Sequence, residues 1–199
     1  PGLDAMRTLN RKFGLMRKSL FLIILVIFCS MMLQPALAQG DVEVGVFEPI
    51  TTSPGSRIEV PIEIRGVQDL YAFDLEMQFD PAIFDAEDAD PNMQGIQTAL
   101  GTFLDAGLLL FNDVNPETGL VRFAMSQMNP SEGKSGDGIL LVLYLTAKTT
   151  GESALTVNSI TLSDRGGVAI PSSGVEAVVT VAEGVAAVTS TSIPVQDPT

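Results

Sequence analysis

Residues 70–84, LYAFDLEMQFDPAIF, set the pattern for the chain. Tyr71, Phe73, Leu75, Met77 and Phe79 fall on one side, and Ala72, Asp74, Glu76 and Gln78 on the other, until Asp80-Pro81 breaks the run. A period of two predicts a half-buried β-strand. RIEVPIEIRG (57–66) alternates as cleanly: Ile58, Val60, Ile62 and Ile64 are predicted inward, and Arg57, Glu59, Pro61, Glu63 and Arg65 outward. Pro61 has no N–H to donate, so it places this strand at an edge or a bulge. DVEVGVF (41–47) and LVRFAMSQM (120–128) alternate too, with Val121, Phe123 and Met125 inward and Arg122, Ala124 and Ser126 outward.

The remaining runs are less regular. AIFDAEDA (82–89) and Leu108–Asn112 read as short strands, and NPETG (115–119) as a hairpin turn. ILLVLYLTAK (139–148) is apolar on both faces and reads as a central strand; ALTVNSITLSD (154–164) and VEAVVTV (175–181) complete the set. The stretch from Asp90 to Gly107 reads as loop, with at most a helical turn. About nine strands with regular turn signals and no convincing helix predict an all-β, antiparallel sandwich.

The first residues follow a different rule. MRKSLFLIILVIFCSMMLQPALA (16–38) has a basic start at Arg17 and Lys18, an apolar run from Leu20 to Leu33, and an Ala36-Leu37-Ala38 cleavage pattern. That is the order of a secretory signal peptide, and the run is shorter than the roughly 20 residues of a spanning helix. Cys29 follows the bulky Phe28, which argues against a lipidation site. Residues 1–38 are therefore read as a signal peptide with upstream residues, Met6 and Met16 being candidate starts, and 41–182 as the folded domain. Residues 183–199, rich in Ser, Thr, Val and Pro, are read as a flexible linker or tail. The expected location is extracellular, with attachment to a cell surface through a further C-terminal segment as a variant of it.

Charge sharpens this picture. The chain has 11 basic and 24 acidic residues. Five of the basic ones and one acidic one precede Gln39, which leaves 6 against 23 and a net charge of −17 for the mature part. Such a surface repels nucleic acid and anionic lipid. The only cysteine leaves with the signal, so no disulfide is available. There is no histidine. That excludes Ser-His-Asp and Cys-His catalysis and the usual zinc sites. No cofactor, no metal and no catalytic residue is expected.

The order of motifs resembles that of a cohesin domain. The likeness rests on VEVG at 42, GSRIEVPIEIRGV at 55, LYAFDLEMQFDPAIFDAEDA at 70, GLVRFAMS at 119, GDGILLVLYLTAK at 136 and the closing VEAVVTV. It covers about residues 41–182. The resemblance implies a jelly-roll β-sandwich that binds a dockerin-bearing protein, the calcium being carried by the dockerin. It implies that a flat sheet face takes a dockerin helix, and that Asp74, six residues before Asp80-Pro81, accepts hydrogen bonds from it. Ala72 stands where many cohesins have an asparagine, which changes the expected specificity. The contact set so implied is Ala72, Asp74, Glu76 and Gln78 on one strand, and Phe111, Arg122, Ala124, Ser126 and Gln127 on the hairpin.

Other readings of the same residues remain. Asp74 and Glu76 serve equally to keep an exposed strand soluble. At i and i+2 on one face they lie roughly 7 Å apart, a spacing compatible with glycosidase carboxylates, but no cleft or aromatic platform accompanies them. Asp88, Asp90 and Asn92 begin like a calcium loop, yet Met93 and Ala99 occupy the glycine and glutamate positions. A carbohydrate-binding module has the same architecture and keeps polysaccharide as an alternative ligand. However, Trp is absent, Tyr71 is predicted inward and Tyr144 lies in the central strand. A structural spacer is the third option.

Overall fold

The computed structural model describes residues 42–184. The expected signal peptide and, apart from Glu183 and Gly184, the expected tail lie outside the described residues. Thirteen strands occur among them. The first six are β1 (Val42–Gly45), β2 (Ile50–Thr52), β3 (Arg57–Leu70), β4 (Ala72–Gln78), β5 (Phe84–Glu87) and β6 (Ala99–Leu100). There follow β7 (Leu108–Asn115), β8 (Leu120–Ser126), β9 (Lys134–Ala147) and β10 (Gly151–Ser163). The last are β11 (Ala169–Ile170), β12 (Ser172–Val175) and β13 (Ala177–Val181).

They form two sheets packed as a jelly-roll sandwich. One runs β12-β1-β3-β9-β5, with β6 also on β9; the other runs β2-β13-β10-β4-β8-β7, with β11 on β10. The expectation of purely antiparallel sheets is corrected: β1 pairs with β12 and β2 with β13 in parallel. VEAVVTV is not one strand either. It breaks at Glu176, which ends β12 in one sheet before β13 begins in the other.

Alternation explains the core. Val60, Ile62 and Ile64 of β3 and Leu141, Leu143 and Leu145 of β9 meet Phe73, Leu75 and Met77 of β4 and Val121, Phe123 and Met125 of β8, all buried. The Phe73 and Phe123 rings stack at 5.4 Å with 10° between their planes. Strand β9 is central, as its apolar run predicts, but its outer face is only half covered, at Val142, Tyr144 and Thr146. Tyr144 is therefore not a core residue: the Arg57 guanidinium lies 4.1 Å over its ring. Pro61 sits in an inner strand, yet β1 pairs with β3 only from Arg65 to Glu63. Beyond Glu63 that side of β3 is a local edge, which is where a residue without an N–H is tolerated.

Ile62 is fully buried and Glu63 is not. Ile62→Ala is expected to lose about 2–5 kcal/mol, and Glu63→Ala no more than about 0.5 kcal/mol. Equal losses in denaturant melts would reverse the two faces of β3. On the outer side of the same sheet, Arg57 pairs with Glu87 at 2.6 Å, and the Thr146 hydroxyl donates to the Glu87 carboxylate. The hydroxyl bond first, and Arg57 after it, hold the Glu87 carboxyl below its ordinary range against the effect of partial burial. A lowered carboxyl pKa adds stability that is present above the unfolded value and is lost as pH falls through the folded one.

Candidate functional site

The outer face of β10-β4-β8-β7 forms a grid whose rows follow from strand register. Ser163, Ala72, Ser126 and Leu108 make the first row, and Thr161, Asp74, Ala124 and Phe111 the second. Ser159, Glu76, Arg122 and Asp113 make the third, and Thr156, Gln78, Leu120 and Asn115 the fourth. Strands lie about 4.8 Å apart and like-facing residues about 7 Å, so the grid measures roughly 14 by 20 Å. An α-helix with its side chains is about 10–12 Å across.

Eight of the nine residues implied by the resemblance share this face. Asp74 and Gln78 are exposed, and Ala72, Glu76 and Ser126 half-buried. The Asp74 carboxylate makes no hydrogen bond or ion pair among the described residues. Arg122 lies across the lower half: its guanidinium is 3.8 Å from the Glu76 carboxylate and 4.7 Å from the centre of the Phe111 ring. Gln78 Nε2 donates to the Thr118 carbonyl at 2.9 Å, and the Ser126 hydroxyl to the Gln127 carbonyl at 3.0 Å.

Ala124 is only 3 % exposed although it points outward with Arg122 and Ser126. Its row neighbours explain this. Asp74 lies on one side and Phe111 on the other, and both side chains are longer than its methyl group, so Ala124 is the smallest residue of its row. The turn that aims the hairpin is the expected one. Asn115 Oδ1 accepts the Glu117 and Thr118 N–H groups, and Gly119 takes φ 71°, which favours glycine.

Gln127 is a correction. It is 2 % exposed, accepts the Asp105 N–H at 3.0 Å and donates to the Glu132 carbonyl at 2.9 Å. It staples two loops together beneath the face and offers nothing to a partner. Gln127→Ala should cost about 1–3 kcal/mol, since it leaves buried partners unpaired, and thermal melts check this.

The predicted short strand at 108–112 is also corrected. β7 reaches Asn115 and is the edge of its sheet. Its apolar start is not buried: Leu108, Leu109, Leu110 and Phe111 are 51, 42, 58 and 48 % exposed. Leu108, Leu109 and Leu110 escaped the sequence reading. The available signal was four apolar residues in a row without alternation, which a buried strand and an exposed one share. The far half of the same edge is covered, because Val114 N–H donates to the Ile96 carbonyl at 2.8 Å and the Asn112 amide exchanges hydrogen bonds with Thr98.

The acidic loop uses its own carboxylates. Asp88 Oδ1 accepts the N–H groups of Asp90 and Gln97, and Asp90 Oδ1 that of Asn92. Among the described residues no cluster of His, Cys, Asp and Glu is arranged to hold a metal ion.

Comparison with known proteins gives a consistent picture. The family model for the cohesin domain matches residues 46–188. No curated protein matches the chain. Among solved structures, the fold is similar to a non-cellulosomal cohesin from the archaeon Archaeoglobus fulgidus, with 19% identity, TM-score 0.56, and 72% of this chain and 91% of that chain covered. A type II cohesin domain from the cellulosome of Acetivibrio cellulolyticus has 18% identity and TM-score 0.58, over 70% of this chain and 94% of that one. A type I cohesin–dockerin complex from Clostridium thermocellum has 17% identity and TM-score 0.59, over 72% of this chain and 100% of that one.

Proposed function

The chain belongs to the cohesin domain family, and on that footing we propose that it is a secreted, non-catalytic receptor module that binds a dockerin-bearing protein through the β4-β8-β7 face. The observation that supports this reading is the small Ala124 set between Phe111 and Asp74, whose carboxylate has no partner among the described residues. An unpaired carboxylate on an otherwise small-residue floor fixes the register of a helix by accepting its hydroxyl or cationic donors. Calcium belongs to the partner in this reading, and the module itself takes no metal. The mature chain's net charge of −17 opposes contact with nucleic acid or anionic membrane. The N-terminal segment 1–38 supplies export, and 183–199 a tether.

The test is calorimetry against a panel of dockerin modules, with and without EGTA. Chelation should abolish binding through the dockerin and leave this domain's Tm unchanged. Asp74→Ala should weaken a cognate dockerin by about 2–5 kcal/mol, chiefly through faster dissociation. Binding that survives Asp74→Ala and Ala124→Arg but is lost with substitutions on β3 moves the site to the other sheet. No turnover of polysaccharide or peptide is expected. Turnover that disappears in Asp74→Ala or Glu76→Ala would replace the receptor reading with an enzymatic one. A sugar platform has less support, because arginines sit over the rings of Tyr144 and Tyr71, at 4.1 and 6.0 Å.

A further inference from the structure

Residues 96–103 form a strap that serves the two sheets in turn. Its first part lies along the β7 edge: the Val114 N–H donates to the Ile96 carbonyl, and Thr98 exchanges hydrogen bonds with the Asn112 amide. Because the later strap residue meets the earlier residue of β7, this part runs antiparallel to β7. At Ala99 the strap leaves. Ala99 and Leu100 pair with Val142 and Leu141 of β9, and the Gly101 and Phe103 N–H groups donate to the Leu140 and Ile139 carbonyls. An extended segment thus covers β7 as far as Asn112 and no farther.

The part of the edge it abandons is Leu108–Phe111, four exposed apolar residues. β7 pairs with β8 alone, and among the described residues no hydrogen bond reaches the backbone of 108–111 from the open side. The apolar surface wraps around this edge. Leu108 and Phe111 lie opposite Ser126 and Ala124 on the outer side, whereas Leu109 lies opposite the buried Met125 on the inner side. A partner resting on the outer face leaves Leu109 in water; one placed alongside the edge covers both sides at once. Leu100, paired with the buried Leu141, is 45 % exposed at the matching edge of the other sheet.

We infer that Leu108–Phe111 is a strand-addition site, and that its occupant is an extended apolar segment of another protein, antiparallel to β7 in line with the strap, with a basic residue at its N-terminal end. The unpaired N–H and C=O groups of a sheet edge hold such a segment through main-chain hydrogen bonds, while its alternate side chains find apolar contacts on either side. The basic residue follows from the charges the domain leaves unpaired. Among the described residues all six basic side chains are in ion pairs. The Asp113 carboxylate, two residues beyond Phe111, is in none of them, and an antiparallel segment begins at that end. A second copy of this chain fits poorly. Two-fold pairing of the stretch sets the two irregularities between Leu109 and Phe111 against each other at the centre of the ladder, and each copy brings a net charge of −17.

Fluorescein-tagged peptides with a lysine followed by alternating valine and threonine test this against the full chain by fluorescence anisotropy. The lysine peptide should bind at least tenfold more tightly than one with glutamate in its place. It should gain as much over one with N-methylated amides, which keeps the side chains and removes the main-chain donors. Leu109→Ser should cut its affinity at least tenfold, and Asp113→Lys should turn the preference toward the glutamate peptide. Both substitutions are at exposed positions, and a thermal melt checks that the fold is intact. Since Leu109 points away from the outer face, Leu109→Ser should leave the affinity for a dockerin unchanged, which keeps the two sites distinguishable. No binding of the lysine peptide, equal binding of the N-methylated one, or indifference to both substitutions overturns the inference. Equal affinity for a helical peptide of the same apolar content does so too. Self-association lost in Leu109→Ser gives the edge to a second copy, and a tenfold gain in peptide affinity on removing residues 185–199 gives it to the chain's own tail; either overturns the inference. Dockerin binding lost in Leu109→Ser overturns it as well, by merging the edge with the outer face.

Discussion

Ala124→Arg is expected to reduce binding of a cognate dockerin by about a hundredfold or more, while the domain stays folded. Ala124 is the floor between Asp74 and Phe111. An arginine there fills the space a helix backbone needs. It also brings a guanidinium beside Asp74, so the carboxylate proposed to meet the partner is satisfied from within. Loss of a desolvated charge pair alone costs about 2–5 kcal/mol, each 1.4 kcal/mol being roughly tenfold in Kd, and the steric term adds to it. The fold should survive because the side chain leaves from the outer face, where a long aliphatic stem can run along the sheet to water. Calorimetry on the variant, with a thermal melt alongside, is the measurement. Unchanged affinity with an intact melt would place the docking surface elsewhere.

The neighbouring residue gives the second large effect, and the opposite one. Phe123→Ala is expected to destabilise the domain by about 3–5 kcal/mol. Phe123 is fully buried and stacks on Phe73. Removing it opens a ring-sized cavity between the sheets, directly beneath the proposed docking face. Domains of this kind have only about 5–15 kcal/mol in hand, so the loss should lower Tm by roughly 10–20 °C. Denaturant unfolding reads it directly. A loss below about 1 kcal/mol would mean that β8 is turned over, with Ala124 inside. One position apart in the chain, the two substitutions thus separate binding from stability.

That separation was legible in the sequence because a period of two says which residues share a face. Tyr71 aside, the inward set of β4 and the whole grid of Ala72, Asp74, Glu76 and Gln78 follow from alternation alone. What alternation cannot report is a strand's place in its sheet. The apolar runs at 108–111 and 139–147 look alike as text. One is an exposed edge and the other a central strand, because the second has neighbours on both sides and the first on one. Nor does it report a sheet change: VEAVVTV keeps its character through Glu176 while passing from one sheet to the other. The resemblance implies Gln127 as a contact, although the alternation that sets Ser126 outward turns the next residue inward. Its amide turned inward where two loops needed a donor and an acceptor, a demand created by tertiary structure.

The parallel pairings at the ends of the sheets bear on how the domain comes to be folded. Val42 lies opposite Ser172, and Thr52 opposite Val181, about 130 residues away along the chain in each case. Contacts of such separation are costly in loop entropy before they return anything, and domains dominated by them fold in about milliseconds to seconds. A ribosome delivers β1 and β2 first and their parallel partners last. The first strands made are therefore among the last to find all their neighbours, and the sandwich closes only after Val181 has been added.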